Sequence, residues 1–233
     1  ELSGSAVISD AATGMKKGIR NSFMYPAVAV VDPKYTDSMP YRVTRNSGFD
    51  AFAHAVETYV SVKATPLSDI LSEQAIGMIA ESLPKLREDP GSQEARDAMS
   101  YAGMIMGINI GNVGTLLPHR LQYPVGIRTH TPHGEGLLAL FPAWIDEIYE
   151  HRPEKICKVG SILSGKHCGT KAECLSALGD FLSAIDGQLT LTDIGITDSD
   201  IEKFAQSITG VLENDPAYTG TEVIERIYRN SMR

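Results

Sequence analysis

Asp50 and His54 stand four residues apart in the segment Gly48-Phe49-Asp50-Ala51-Phe52-Ala53-His54-Ala55-Val56-Glu57. On a helix that spacing puts both side chains on one face, with Cβ atoms about 5–6 Å apart. A carboxylate oxygen and an imidazole nitrogen presented together can share one metal ion, and Ala51 and Ala53 leave the approach uncrowded. The same spacing also describes a surface Asp–His pair worth a few tenths of a kcal/mol. A second constellation is His119-Arg120-Leu121-Gln122-Tyr123-Pro124, followed by Thr131-Pro132-His133-Gly134. His119 precedes a proline-bounded segment, and His133 follows a proline where a helix starts. A helix end and a loop can return both to one point. Histidines with a carboxylate suit zinc or ferrous iron, whereas unrelated loop and cap histidines are the plainer reading. His130, in the same stretch, reads as a solvent-facing loop residue.

These side chains need elements to hold them. Residues 6–9 form a short apolar run, with turn signals at Thr13-Gly14 and Lys17-Gly18. Ala27-Val28-Ala29-Val30-Val31, closed by Asp32-Pro33, reads as a strand buried on both faces. From about Thr44 the period becomes helical. Ser47 is the expected cap of a first helix bearing Phe49, Phe52, Val56 and Tyr59. Ser68 caps a second, with Leu71, Ala75, Ile79 and Leu83 on one face, and Pro84 is expected to stop it. Ser92 caps a third carrying Ala95, Met99, Ala102, Ile105 and Met106. Its Gly103, Gly107 and Gly111 form a small-residue stripe suited to close helix packing. A phosphate-binding glycine loop needs a preceding strand, which is not visible. A fourth helix starts at His133 with a kink expected at Pro142, a fifth at Pro153 and a sixth after Thr170. Ser199 with Glu202, and Thr219 with Glu222, read as capping boxes of the last two.

The chain has 233 residues and a net charge of −8. An acidic chain is poorly suited to nucleic acid or to an anionic membrane surface. No window approaches the roughly 18 apolar residues of a membrane span. Cys157, Cys168 and Cys174 form no Cys-x-x-Cys clip, so a disulfide framework is not expected. These features point to a soluble, reducing, cytoplasmic setting. Residue 1 is Glu, and the chain reads as cut from something longer.

The two histidine constellations together resemble a known family. Residues 48–57 are similar to the Gly-x-Asp-Ala-x-x-His-Ala-x-Glu signature of the iron-containing (group III) alcohol dehydrogenases. Asp32-Pro33 with Pro40 resembles the segment leading in. Ala64-Thr65-Pro66-Leu67-Ser68-Asp69 resembles the family's Ala-Asn-Pro-x-Ser-Asp turn, and residues 99–114 resemble its small-residue helix. His119 and Pro132-His133-Gly134 fall where the family places its other two metal histidines. The resemblance covers essentially the whole chain. It implies that Asp50, His54, His119 and His133 form one metal site. It also implies a mostly α fold: a dehydroquinate-synthase-like helical domain at 36–233, preceded at 1–35 by a short β remnant of a truncated dinucleotide-binding domain.

Further expectations follow from the resemblance. Lys16, or Lys17 on a slip of one, matches the family's lysine near the nicotinamide ribose. The family's Gly-Gly-Gly-Ser pyrophosphate loop has no match. Tyr123 stands where the family commonly has a second histidine, and a hydroxyl with pKa near 10 is a weaker proton carrier at neutral pH. The implied activity is metal-dependent, NAD(P)-linked oxidation of an alcohol, or reduction of an aldehyde or ketone, using Fe2+ or Zn2+ and NAD or NADP. This portion alone is expected to bind metal but turn over poorly. Glycerol dehydrogenases and dehydroquinate synthases carry zinc in a similar cleft and are the alternative, as is a non-catalytic helical module. The expected partners are a small alcohol or aldehyde and, in a homo-oligomer, further copies of the chain. Phe49, Tyr123, Ile127 and Phe141 are the expected pocket lining.

Overall fold

The computed structural model describes residues 3–10 and 15–233. Strands β1 (Ser5–Asp10) and β2 (Met15–Arg20) pair antiparallel, with Ser5 opposite Arg20 and Asp10 opposite Met15. Lys17 and Gly18, expected in a turn, lie inside β2 opposite Ile8 and Val7. The Thr13-Gly14 turn lies outside the described residues. The expected buried strand at residues 27–31 is instead irregular, with Val28 80% and Val30 85% exposed. An apolar β-branched run becomes a strand only where another strand completes its ladder, and no described strand lies beside this one.

Nine α-helices follow among the described residues: α1 (Tyr41–Val60), α2 (Pro66–Glu88), α3 (Gln93–Val113), α4 (Leu117–Thr129), α5 (His133–Tyr149), α6 (Pro153–Ser164), α7 (Lys171–Ala184), α8 (Asp198–Ser207) and α9 (Thr221–Asn230). Helix α1 starts six residues before the expected Ser47 cap. Ser47 Oγ instead bonds back to the Val43 carbonyl at 2.8 Å, as serine does inside a helix. Thr65, not Ser68, caps α2, and Ser68 is the reciprocal member of the capping box. Pro84 does not stop this helix. Leu83 and Leu86 are buried on either side of it, and Arg87 ties the last turn to the carbonyls of Ser183 and Ala184 at 2.9 and 3.0 Å. Packing outweighs the single hydrogen bond that proline removes. Helix α5 likewise runs on through Pro142. Ser92 caps α3, and the Thr170–Glu173 box opens α7. The box of α8 is Thr197 with Asp200, two residues before the expected one, a phase that buries Ile201. Helix α9 begins after Gly220, at φ 144°, without the expected Thr219 cap.

Sequence patterning missed α4 altogether, because Pro118, Pro124 and Gly126 hide its period. Helix α1 runs through the core. Its Phe49 and Phe52 rings meet Phe141 of α5 at centroid distances of 5.3 and 5.7 Å, and Phe52 meets Phe181 of α7 at 5.0 Å. Phe49 and Phe141 are therefore core residues, and neither lines the large cleft beside Asp50. The glycine stripe of α3 also differs from expectation. A Cβ at Gly103 would meet nothing within 4 Å, and Gly103 and Gly107 line an open cleft. Among the described residues, the face of α3 at Gly103 is therefore open and carries no close helix contact. Among the described residues, no helix is long and apolar enough to cross a membrane. The three cysteines are free thiols, Cys157 and Cys174 lying 3.7 Å apart at sulfur.

Candidate metal centre

Helix α1 presents Asp50, His54 and Glu57 on one face, at positions i, i+4 and i+7. His119 comes from the first turn of α4 and His133 opens α5. Each of those two helix starts is held by buried carboxylates. Leu116, before α4, has no side chain able to cap. Glu57, fully buried, accepts from the Leu116 amide at 2.5 Å, and Asp215 accepts from the Leu117 amide at 3.0 Å. Negative charge at a helix N-terminus satisfies amides that the helix itself leaves unpaired. Glu135, in the first turn of α5, accepts from Arg42 Nε at 2.6 Å and from Arg45 Nη2 at 2.9 Å, which fastens α5 to the start of α1.

The three imidazoles converge on one carboxylate oxygen. Asp50 Oδ1 lies 3.0 Å from His119 Nε2, 3.6 Å from His133 Nε2 and 3.7 Å from His54 Nε2. The His54 and His119 rings stack, with centroids 4.2 Å apart. Potential ligand atoms of Asp50, His54 and His119 all lie within 4.8 Å of one another. His54 is only 20% exposed, which does not fit a simple surface pair. Three imidazole nitrogens facing one carboxylate oxygen is a donor set that ferrous iron or zinc accepts.

The surroundings orient the rings. His119 Nδ1 donates to Glu57 Oε1 at 2.6 Å, and His133 Nδ1 lies 2.5 Å from Gln122 Oε1. Each Nε2 is thereby turned toward Asp50, the arrangement in which an outer carboxylate or amide sets the tautomer of a ligating histidine. Burial depresses the His54 imidazole to about 3, and the Asp50 charge only partly offsets this. Burial acts the same way on His119, but Glu57 and Asp50 outweigh it and raise its value to about 10. Burial opposes ionisation of Asp50, yet His54, His119 and His133 hold its carboxyl well below the usual range. Sequence reasoning assigned no role to Glu57 or Gln122. The i+7 spacing of Glu57 from Asp50 was the available signal, whereas Gln122 carried none.

The cluster opens into a cleft of about 650 Å³ between α1, the glycine stripe of α3, α4 and the β hairpin. Lys16 of β2 lines it, and burial lowers the pKa of its amine. Its Nζ lies over Gly126, where a Cβ would sit 3.0 Å away. Tyr123 also lines the cleft, as expected, and burial raises its pKa, so its hydroxyl stays protonated at neutral pH. Ile127 is not among the lining residues. His130 is exposed at the end of α4 in the left-handed conformation, outside the site.

Asp215 gives a pH prediction. Burial raises its carboxyl from 3.8 to about 6, against the pull of amides from Leu117 and Ala217 and the Trp144 indole N–H. A raised acid pKa stabilises the fold below about pH 4, and that contribution is lost as pH rises through about 6. The stability of the wild type relative to Asp215→Asn should therefore fall by about 2 kcal/mol between pH 4 and pH 7. Urea unfolding of both proteins at the two pH values measures it, and a constant difference contradicts the assignment.

Residues 44–232 match the family model described as "Fe-containing alcohol dehydrogenase family, C-terminal". The chain belongs to the iron-containing alcohol dehydrogenase family. It is 29% identical over 229 residues to sulfoacetaldehyde reductase of Bilophila wadsworthia, covering 93% of this chain and 58% of that protein. It is 32% identical over 196 residues to long-chain-alcohol dehydrogenase 1 of Geobacillus thermodenitrificans, covering 82% of this chain and 50% of the relative. The solved structure of an iron-containing alcohol dehydrogenase from Thermotoga maritima superposes with a TM-score of 0.84 at 32% identity, over 99% of this chain and 59% of that one. The helical architecture is thus that of the family's C-terminal domain. The chain spans between half and three-fifths of the length of these relatives.

Proposed function

We propose that this chain is the metal-binding part of an NAD(P)-linked alcohol dehydrogenase that oxidises an alcohol or reduces an aldehyde or ketone. The observation that carries this reading is the meeting of His54, His119 and His133 Nε2 around Asp50 Oδ1 at the floor of the cleft. Asp50, His54, His119 and His133 would hold one divalent ion. A bound divalent ion acts as a Lewis acid toward an alcohol or carbonyl oxygen. The family's description as iron-containing favours ferrous iron, although the donor set accepts zinc as well.

The protein's own groups have definite tasks in this scheme. Asp50 supplies negative charge to the ion. With the ion bound, Glu57 would hold the proton of His119 on Nδ1 and leave Nε2 to the ion, and Gln122 would do the same for His133. Tyr123 offers a hydroxyl donor to a bound oxygen. Lys16, a cation on the cleft wall, supports a place beside the NAD or NADP ribose. Residues 1–35 are proposed as the end of the NAD(P)-binding domain and residues 36–233 as the metal-binding domain. Exposure of Phe23, Val28, Val30 and Tyr35 supports further packing of the first segment in the whole protein or in a homo-oligomer. The free thiols support a reducing, cytoplasmic setting.

The test is NAD(P)-dependent oxidation of a panel of alcohols by the whole protein after loading with ferrous iron or zinc. Turnover that requires metal and falls by at least a hundredfold in Asp50→Ala supports the reading. Turnover unaffected by Asp50→Ala contradicts it.

A further inference from the structure

We infer that the cleft receives a substrate bearing an anionic group, and that Arg120 is the residue that binds it. The inference rests on the dehydrogenase reading and names the substrate class for the same site.

The chain carries a net charge of −8, yet its cleft has the opposite sign. The described lining includes three cations, Lys16, Arg20 and Arg120, against the single carboxylate of Asp50. A concave site of one sign concentrates ligands of the other. Arg20 is already engaged, donating to the carbonyls of Ile110 and Gly111 at the end of α3. Lys16 is assigned above to the cofactor.

Arg120 is different. Its Nε is buried with no hydrogen-bond partner. Leaving a buried donor of a charged group unpaired is costly and calls for a partner, and a bound anion is the one assigned here. Nothing described around the guanidinium competes for that role. Its Cζ lies 5.9 Å from the Tyr123 ring centroid. A Cβ at Gly210 would sit 3.4 Å from Cζ, and one at Gly18 would sit 3.8 Å from Nη1. The guanidinium is therefore held between β2 and the segment after α8, with glycine on both sides. A planar guanidinium matches a carboxylate, sulfonate or phosphate with two parallel hydrogen bonds. Arg120 also follows His119 directly in the first turn of α4. One end of a substrate at the metal histidines and an anionic end at Arg120 gives attachment at two points, which selects short alcohols or aldehydes with a terminal acid group.

The test compares ω-hydroxy acids of three, four and five carbons with the diols of equal length. The whole protein, loaded with ferrous iron and NAD(P)H, with which an alcohol binds but is not oxidised, is titrated calorimetrically, and kcat/KM is measured in parallel with NAD(P)+. At one or more chain lengths the acid should bind at least tenfold tighter than its diol. Arg120→Gln should abolish that preference while changing diol binding by less than threefold, and Arg120→Lys should retain part of it. Equal binding of acid and diol at all three lengths, binding of neither, or a preference that survives Arg120→Gln overturns the proposal. An Arg120→Gln variant that loses affinity for NADPH but not NADH, with the acid preference intact, assigns the cation to the cofactor phosphate and also overturns it. Because binding is read without turnover, an acid preference with no oxidation of any compound counts against the dehydrogenase reading alone.

Discussion

His119→Ala is expected to abolish metal binding and, separately, to destabilise the metal-free chain by about 3 kcal/mol. The first effect follows from the loss of the imidazole nearest Asp50, at 3.0 Å. The second follows from Glu57, which is fully buried and would keep only the Leu116 amide as partner. Removing one member of a buried charged pair leaves the other uncompensated, at a cost of about 3–5 kcal/mol. The remaining amide bond places Glu57 near the lower end. His133→Ala makes the contrast. The His133 side chain is 34% exposed and leans on Gln122, so its loss should remove the metal while costing less than about 1 kcal/mol. Urea unfolding in chelator, beside metal content, separates the two effects. Equal stability losses in both variants would show that Glu57 does not depend on His119.

Gly134→Ala should be nearly as damaging from outside the ligand set. A Cβ at this position would lie 2.3 Å from the Asn46 carbonyl oxygen and 2.7 Å from its Cα. Those are backbone atoms of α1, which is locked in the core by Phe49 and Phe52. They cannot swing aside as a side-chain tip can. Helices α1 and α5 would have to part where Glu135 binds Arg42 and Arg45. The expected cost is about 2–3 kcal/mol, with metal affinity reduced at least tenfold because His133 moves with its helix. Gly103→Ala is the control, since its Cβ meets nothing within 4 Å. There the helix preference of alanine over glycine should stabilise the chain by up to about 1 kcal/mol. Thermal unfolding of the two variants reads the difference in sign, and destabilisation by both would contradict this account of the interface.

The sequence marked the candidate ligands more clearly than the architecture around them. The four-residue spacing of Asp50 and His54 is a local signal, but by itself it describes a surface pair equally well, and it is the resemblance of residues 48–57 to the family signature that points to a metal. Thr170 announces a helix start from local chemistry alone. Helix α4 leaves no such trace. Its two prolines and Gly126 break the pattern, and its start is completed by carboxylates from distant segments, Glu57 and Asp215. Residues 27–31 failed for the converse reason, since their pattern is sound but the described chain offers no strand to pair with. The glycine stripe of α3 looked like a packing surface because small residues serve a helix contact and an open cleft equally well. Arg120 showed nothing in sequence. Its interest lies in a buried Nε without a partner, which only three-dimensional structure reveals.

The central claim is that residues from α1, α4 and α5 hold one metal ion together. The most direct measurement is titration of ferrous iron into the metal-free chain under anaerobic conditions, with bound metal determined by elemental analysis, for the wild type and for Asp50→Ala, His54→Ala, His119→Ala and His133→Ala. The account predicts one ion per wild-type chain and an affinity reduced by at least a hundredfold in every variant. Unchanged binding in His119→Ala and His133→Ala, or no binding by the wild type, would contradict it.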